Sequence, residues 1–318
     1  MVSTIDRQPP KVSIIIVHPY GFEHTPRCLD SLRIITYPTA EVIIVDNGSQ
    51  DGSGVMLRKQ FPEVTFIHNE KNDGFAGGNN IGIEYAIANG AQYVLLLNND
   101  TIVTPTFLEP LVERIESDAS IGAVSGKIYY YPDAVGGKEK IIWYAGAYQK
   151  WHMAYNHTCE FEEDDGQCDE AGEVAYASGC LMLLRSDVLK RIGGLSEEYF
   201  MYWEESDWCM RAKAIGFSSW YEPRAVIYHN TRSSIKGKET PLYTYMMYRN
   251  FPIFASHHFH GLRRLWFWFC YPLHILNRLG VCIVAGNWSA AIAIISGVVD
   301  YFKGYRGDIG IKERGLIK

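Results

Sequence analysis

Two acidic stretches carry residue types that can do chemistry. In "VLLLNND" (94–100) an apolar run stops on two amides and a carboxylate, Asn98, Asn99 and Asp100. One Asp suffices to hold Mg²⁺ or Mn²⁺ when phosphate oxygens and water complete the coordination shell. The competing reading is a capped turn. In "YFMYWEESDW" (199–208) Glu204, Glu205 and Asp207 open a helical pattern beside Tyr202, Trp203 and Trp208. Acids in a first turn suit the helix dipole. A carboxylate partly desolvated by aromatic neighbours also has the tuned pKa that a general base needs.

Three further stretches accompany them. "VDNGSQDGS" (45–53) closes another apolar run on Asp46 and Asn47. It reads either as a strand-to-helix turn capped by Ser49 or Asp51, or as a carboxylate placed for a base or ribose. "NDGFAGGNNIG" (72–82), with Gly77, Gly78 and Asn79, reads as a glycine-rich loop opening a helix. Such a loop lets backbone N–H groups approach an anion. It is neither a Walker loop nor GxGxxG, which disfavours a dinucleotide fold. His229 ends "AVIYH" and Arg249 sits in "YTYMMYRN"; each gains functional meaning only if both converge on one site.

The elements that must position these residues are legible in outline. "KVSIIIVHPYG", "EVIIVDNGSQDGS", "VTFIHNE" and "QYVLLL" read as strands. "TPRCLDSLRII" and "GGNNIGIEYAIANGA" read as helices between them, the second with Ile81, Tyr85 and Ala88 on its buried face and Gly90 as its stop. Apolar strands alternating with helices predict an α/β fold with a mostly parallel central sheet covered on both faces. Ligands of such sheets bind at the carboxyl ends of the strands, where 18–21, 46–53 and 98–101 all fall. "IGAVSGKIYY" and "EVAYASGCLMLLRSDVLKRIGGL" add strands, the latter followed by a helix. The acidic stretch 131–172 between them reads as a solvated surface loop.

The chain has 318 residues and a formal net charge of −6, which argues against nucleic acid as a partner. Its seven Cys lack metal-site spacing, so reduced thiols in a cytoplasmic protein are expected. "MVSTIDRQPP" has no apolar signal core. The chemistry-bearing stretches lie mostly within 1–235. The segment 236–318 is strongly apolar and aromatic, but Pro272, Arg278, Asn287 and several Gly interrupt it, so packed or interfacial helices are expected rather than a span. "HHFHGLRRLWFWF" is a candidate for peripheral contact with the inner face of a membrane, and the segment is also a candidate for homo-oligomer formation.

In combination and in this order, "VSIIIV", "VDNGSQDGS", "GFAGGNN", "LLLNND", "SGCLMLLR", "GGLSEEYFMYWEESDWCMR" and "YRN" resemble glycosyltransferase family 2, in particular its bacterial rhamnosyltransferase-like branch. The resemblance is close over 11–250. It implies a GT-A fold and a metal-dependent, inverting transfer of a sugar from a nucleoside diphosphate donor, dTDP- or UDP-linked, to a glycan or lipid-linked acceptor. L-rhamnose is the first sugar to test. It further implies that Asp46 contacts the base. Gly77, Gly78 and Asn79 would lie against the nucleotide, and Asn98 and Asp100 stand at the DxD position with Asp100 on the metal. Glu204-Glu205 occupy the base motif, Glu205 being the base and Asp207 the acid two further on. His229 and Arg249 would steady metal and diphosphate.

Four residues depart from that pattern. His18-Pro19 replaces the usual polar loop, Asn98 replaces an acid, and Glu205 is one methylene longer than Asp. A nucleotidyltransferase would want a basic glycine-rich loop after the first strand, and "HPYGFEHTPR" lacks it. A catalytically weak or inactive sugar-nucleotide binder at a membrane surface is the non-enzymatic alternative.

Overall fold

The computed structural model describes residues 8–150, 154–230, 240–308 and 310. The first half alternates as its apolar runs require: β1 (Val12–His18), α1 (Thr25–Leu32), β2 (Ala40–Asn47), α2 (Ser53–Gln60), β3 (Thr65–Asn69), α3 (Gly74–Ala88) and β4 (Tyr93–Leu97). The chain continues through β5 (Thr101–Val103), α4 (Leu108–Ser117), β6 (Ile121–Tyr130), β7 (Ile142–Tyr144), β8 (Ala147–Gln149), β9 (Tyr155–His157) and β10 (Gly172–Val174). Then come β11 (Leu181–Arg185), α5 (Ser186–Ile192), α6 (Glu204–Ala214) and β12 (Ser218–His229), followed by α7 (Pro241–His258), α8 (Gly261–Val284) and α9 (Trp288–Phe302).

The main sheet is mixed. Its order is β10-β12-β6-β11-β4-β1-β2-β3. The β4-β1-β2-β3 half is parallel, as the alternation predicts. β11 enters antiparallel to both β4 and β6, and β12 then runs parallel to β6. The parallel half brings the carboxyl ends of β1, β2 and β4 to one edge, and β12 delivers its last residue, His229, to the strand that follows Asp100.

The glycines of α3 have a packing role. Residues 74–88 are already helical, so Gly77, Gly78 and Asn79 do not form a loop. A Cβ on Gly82 would stand 2.5 Å from Ile15 Cγ2, and one on Gly78 would stand 2.7 Å from Val17 Cγ1. The missing side chains let the helix lie directly on β1. Forcing a methyl into such a contact costs about 1–3 kcal/mol, more than the helix propensity that alanine would return. This also corrects the expected buried face. Gly82, Ile83 and Ala86 face the sheet, while Tyr85 is exposed. Gly90 does end the helix region, at φ +79°.

The acidic stretch is not a merely solvated loop. It contains β7, β8 and β9. The buried Lys127 ammonium donates to Asp164 at 2.7 Å and also to Asp169, so a charge inside the fold fixes the run. Cys159 and Cys168 are joined as a disulfide, against the expectation of thiols throughout.

The last three helices share an apolar cluster with the segment before α6. It includes Tyr199, Trp203, Phe251, Phe254, Phe267 and Ile294. The boundary expected at 235/236 lies outside the described residues. α8 runs unbroken through Pro272 and Arg278, because a proline removes one hydrogen bond while the turns on either side remain bonded. The break comes at Gly286, φ +66°.

Candidate active site

β4 ends at Leu97, and the backbone turns at once. Thr101 Oγ1 donates to the Asn98 carbonyl at 2.7 Å, and Asn99 Nδ2 donates to Thr25 Oγ1 at 3.0 Å. Asn99 therefore anchors the turn to α1, which leaves Asp100 to face outward. His229 Nε2 lies 3.1 Å from Asp100 Oδ1 and 3.4 Å from Asn98 Nδ2. Burial pushes the Asp100 carboxyl up, but the His229 imidazole beside it outweighs that and holds the group below its ordinary value. Burial likewise opposes charging His229, yet Asp100 raises it well above an ordinary histidine.

Asn98, Asp100 and His229 form part of the wall of a cleft of about 720 Å³, within the range of small-molecule sites. Glu204 and Glu205 line the same cleft, together with Trp143, Tyr155, Tyr176 and Tyr202. The metal-ligand and base candidates thus share one cavity. Glu204 is 3% exposed. An Oε2 of each glutamate is buried without a hydrogen-bond partner. Burial raises the pKa of both; Glu204 rises further because the Glu205 charge adds to it. The pair therefore holds a proton between them to higher pH than free glutamates would.

The backbone presenting this pair is strained. Phe200, Tyr202 and Trp203 have φ of 65°, 66° and 81°, the left-handed region that side chains disfavour. Asn250 holds the turn. Its Nδ2 lies 2.9, 2.8 and 2.9 Å from the carbonyls of Tyr199, Met201 and Tyr202. Arg249 assists: its guanidinium donates to Tyr199 O at 2.7 Å, Gly307 O at 2.8 Å and Asn250 Oδ1 at 2.8 Å.

The other candidate residues make contacts of their own within the fold. Arg249 is fully buried behind the turn and does not face the cleft, because three carbonyl-type oxygens occupy its donors. Asp207 points away too: it pairs with His258 at 2.7 Å and Arg211 at 2.7 Å. Gly78 serves helix packing, Gly77 lies against the Asp73 side chain at the start of α3, and Asn79 Nδ2 donates to Phe75 O at 2.8 Å. Asp46 accepts from Ser49 N at 3.2 Å and from His68 at 3.1 Å, under Gly54. Asn47 bonds Asn69 at 2.9 Å and Gly74 O at 2.9 Å. Both close β2 at the carboxyl edge of the sheet, outside the walls of this cleft. His18 is fixed between Thr25, at 2.9 Å, and Ser53, at 2.8 Å.

The residues present fit a divalent cation. Octahedral ligands about 2.1 Å from Mg²⁺ stand about 3 Å apart, close to the 3.1 Å of the Asp100 Oδ1–His229 Nε2 ion pair, whose Nε2 proton an incoming ion would displace. Among the described residues no cluster of three or more His, Cys, Asp or Glu could hold a metal ion, so a diphosphate would have to supply oxygens to such an ion. Sequence reasoning missed Trp143, His157, Tyr176 and Asn250. His157 binds Trp143 O and the Tyr176 hydroxyl, and burial lowers its pKa to about 4, so it is neutral.

The reassignment of Asp207 is testable. Burial raises its carboxyl, but the hydrogen bond from His258 and the Arg211 charge bring it below the ordinary value. Its stabilisation is fully present above the unfolded pKa, about 3.9, and is lost as pH falls through the lower folded value. Asp207→Asn should cost about 3 kcal/mol in urea unfolding at pH 7. The gap to the wild type should begin to close as pH falls below about 4 and vanish below the depressed folded value. An equally stable variant at pH 7 would return Asp207 to the list of candidates for chemistry.

Residues 13–193, more than half of the chain, match Glycosyl transferase family 2. The chain is 26% identical over 231 residues to an N-acetylglucosaminyl-diphospho-decaprenol L-rhamnosyltransferase of Mycobacterium tuberculosis, covering 66% of this chain and 73% of that one. It is 24% identical over 183 residues to the dTDP-rhamnosyl transferase RfbF of Shigella flexneri, covering 55% of this chain and 54% of the relative. Among solved structures it resembles a mannosyltransferase of Pyrobaculum calidifontis in complex with GDP-Man and Mn²⁺, with a TM-score of 0.57 at 14% identity over 92% of this chain and 87% of that one. The mixed sheet with its flanking helices is therefore a GT-A fold. A match that runs from β1 to the end of α5, in a chain whose Asp100 and Glu204–Glu205 pair line one cleft, places this protein in glycosyltransferase family 2.

Proposed function

We propose that the protein transfers L-rhamnose from a dTDP-linked donor, with inversion, to a hydroxyl of a lipid-linked glycan. The observation that carries this reading is the common cleft of Asp100 and Glu205. The rhamnosyl donor and the lipid-linked acceptor are suggested by the names of two relatives.

Asp100 and His229 would hold Mg²⁺ or Mn²⁺, which supplies charge neutralisation for a departing nucleoside diphosphate. The remaining work belongs to side chains of this protein. Glu205 accepts the proton of the acceptor hydroxyl as its oxygen attacks the anomeric carbon. Burial has raised its basicity for that task. A proton shared by the Glu204–Glu205 pair before the acceptor docks avoids placing two negative charges beside the diphosphate. Trp143, Tyr155, Tyr176 and Tyr202 give the cleft the aromatic faces on which a sugar ring packs. Asn250 is a positioning residue that aims Glu205 through the turn.

Kinetics with dTDP-rhamnose and a lipid-linked acceptor test this assignment. Glu205→Gln should lower kcat by about 10²–10⁴-fold with donor affinity retained. Asp100→Ala should weaken donor binding and remove its response to Mn²⁺. Transfer undiminished in Glu205→Gln would eliminate it as the base. Asn250→Ala should lower kcat by roughly 10-fold or more, since a base displaced by about 1 Å loses up to about 10²-fold. Its donor KM should hold, and Asn250→Gln should recover part of the rate. A change confined to KM would contradict the positioning role.

A further inference from the structure

We propose that the exposed apolar face of α8 and α9 lies in the headgroup region of an anionic lipid bilayer. This goes beyond the transfer reaction and does not depend on it. Fifteen of the twenty-four exposed large hydrophobic side chains among the described residues fall between Leu262 and Tyr305. They form stripes. Leu262, Leu265, Phe269 and Leu273 recur at helical spacing along α8, with Leu262 84% exposed. On α9 the exposed stripe runs from Ile292 to Phe302. The two stripes adjoin where Trp268 meets Phe302, ring centroids 6.0 Å apart. A continuous face of this extent exceeds the scattered apolar exposure of ordinary surfaces.

Charge selects the occupant. Residues 251–299 contain no Asp or Glu but include Arg263, Arg264 and Arg278, in a chain whose net charge is −6. Arg264 is exposed beside Leu265. A second copy docked face to face would bring the exposed Arg264 against its own counterpart, while the single acid of α8 and α9, Asp300, is buried on the Tyr245 hydroxyl. Anionic headgroups complement it. Packing selects the mode. α8 has 24 residues, long enough to cross a bilayer. Its other side is nevertheless committed to the fold: Phe267 and Tyr271 pack on Phe251, and the Tyr271 hydroxyl donates to Tyr248 O at 2.6 Å. The helix therefore lies along the surface with one face immersed. The same helical core reaches the cleft, because Trp203, next to Glu204, stacks on Phe251 at 4.5 Å.

Flotation of the full chain with vesicles tests this, without donor or acceptor, so its result is separate from that of the transfer assays. Vesicles of phosphatidylcholine with phosphatidylglycerol should carry the wild type, and phosphatidylcholine alone should carry far less. Leu265→Glu with Phe269→Glu should weaken binding by roughly tenfold or more. Arg264→Glu, which leaves the apolar face intact, should weaken it by about fivefold on anionic vesicles only. Circular dichroism should be unchanged in both variants. Absence of the wild type from anionic vesicles would overturn the proposal. A lipid-free dimer by light scattering that the double variant dissociates would assign the face to a second copy and overturn it too. Bound protein that resists alkaline carbonate washing would replace surface contact with a span.

Discussion

A single amide side chain constrains the catalytic half of this molecule. Three non-glycine residues in the turn before α6 occupy left-handed backbone, at about 1–3 kcal/mol each. Asn250 supports that conformation by gathering three carbonyls, with Arg249 adding a fourth contact, from a helix about fifty residues away in sequence. The consequence is functional. A relaxed turn would start α6 at another angle, and Glu204 and Glu205 would no longer face Asp100 across the cleft. The strain sits beside the proposed base, and the surrounding helices hold it there.

The second constraint is electrostatic. Taking two adjacent carboxylates out of water is costly unless one keeps its proton. Here both have an oxygen without a partner in the protein, and the cleft in which they stand is the place where a hydroxyl donor would dock. On the facing side Asp100 is ionised next to His229. The cavity therefore holds one set of carboxyls raised by burial and another lowered by a cation-forming neighbour. Glycosyl transfer needs that asymmetry: a base for the incoming oxygen and countercharge for the leaving diphosphate.

Much of this was legible from residue types. The parallel half of the sheet follows from apolar runs cut by Gly and Asp, since strands buried on both faces need no alternation. Asp100 and the Glu204-Glu205 pair stand out as charges where burial is expected. What failed to show were partners fixed only by tertiary contact. Arg249 looks like a phosphate ligand until its oxygens, from Tyr199 and Gly307, are known. Asp207 carried a usable signal, Arg211 four residues on, and Gly78 with Gly82 carried another, the spacing of two glycines on one helix face. Trp143 and Tyr176 lie in a region whose three-residue strands are too short to display any period, so the aromatic wall of the cleft had no signature in the chain.

The account stands on a cation site at Asp100 that opens toward Glu205. Anomalous diffraction at the manganese edge, from crystals grown with dTDP and Mn²⁺, locates that ion directly. The expected map has its peak about 2.1 Å from an Asp100 carboxylate oxygen, with the diphosphate on its far side and Glu205 across the same cavity. A manganese peak at Asp164 and Asp169, or a nucleotide bound with no metal at Asp100, would contradict it.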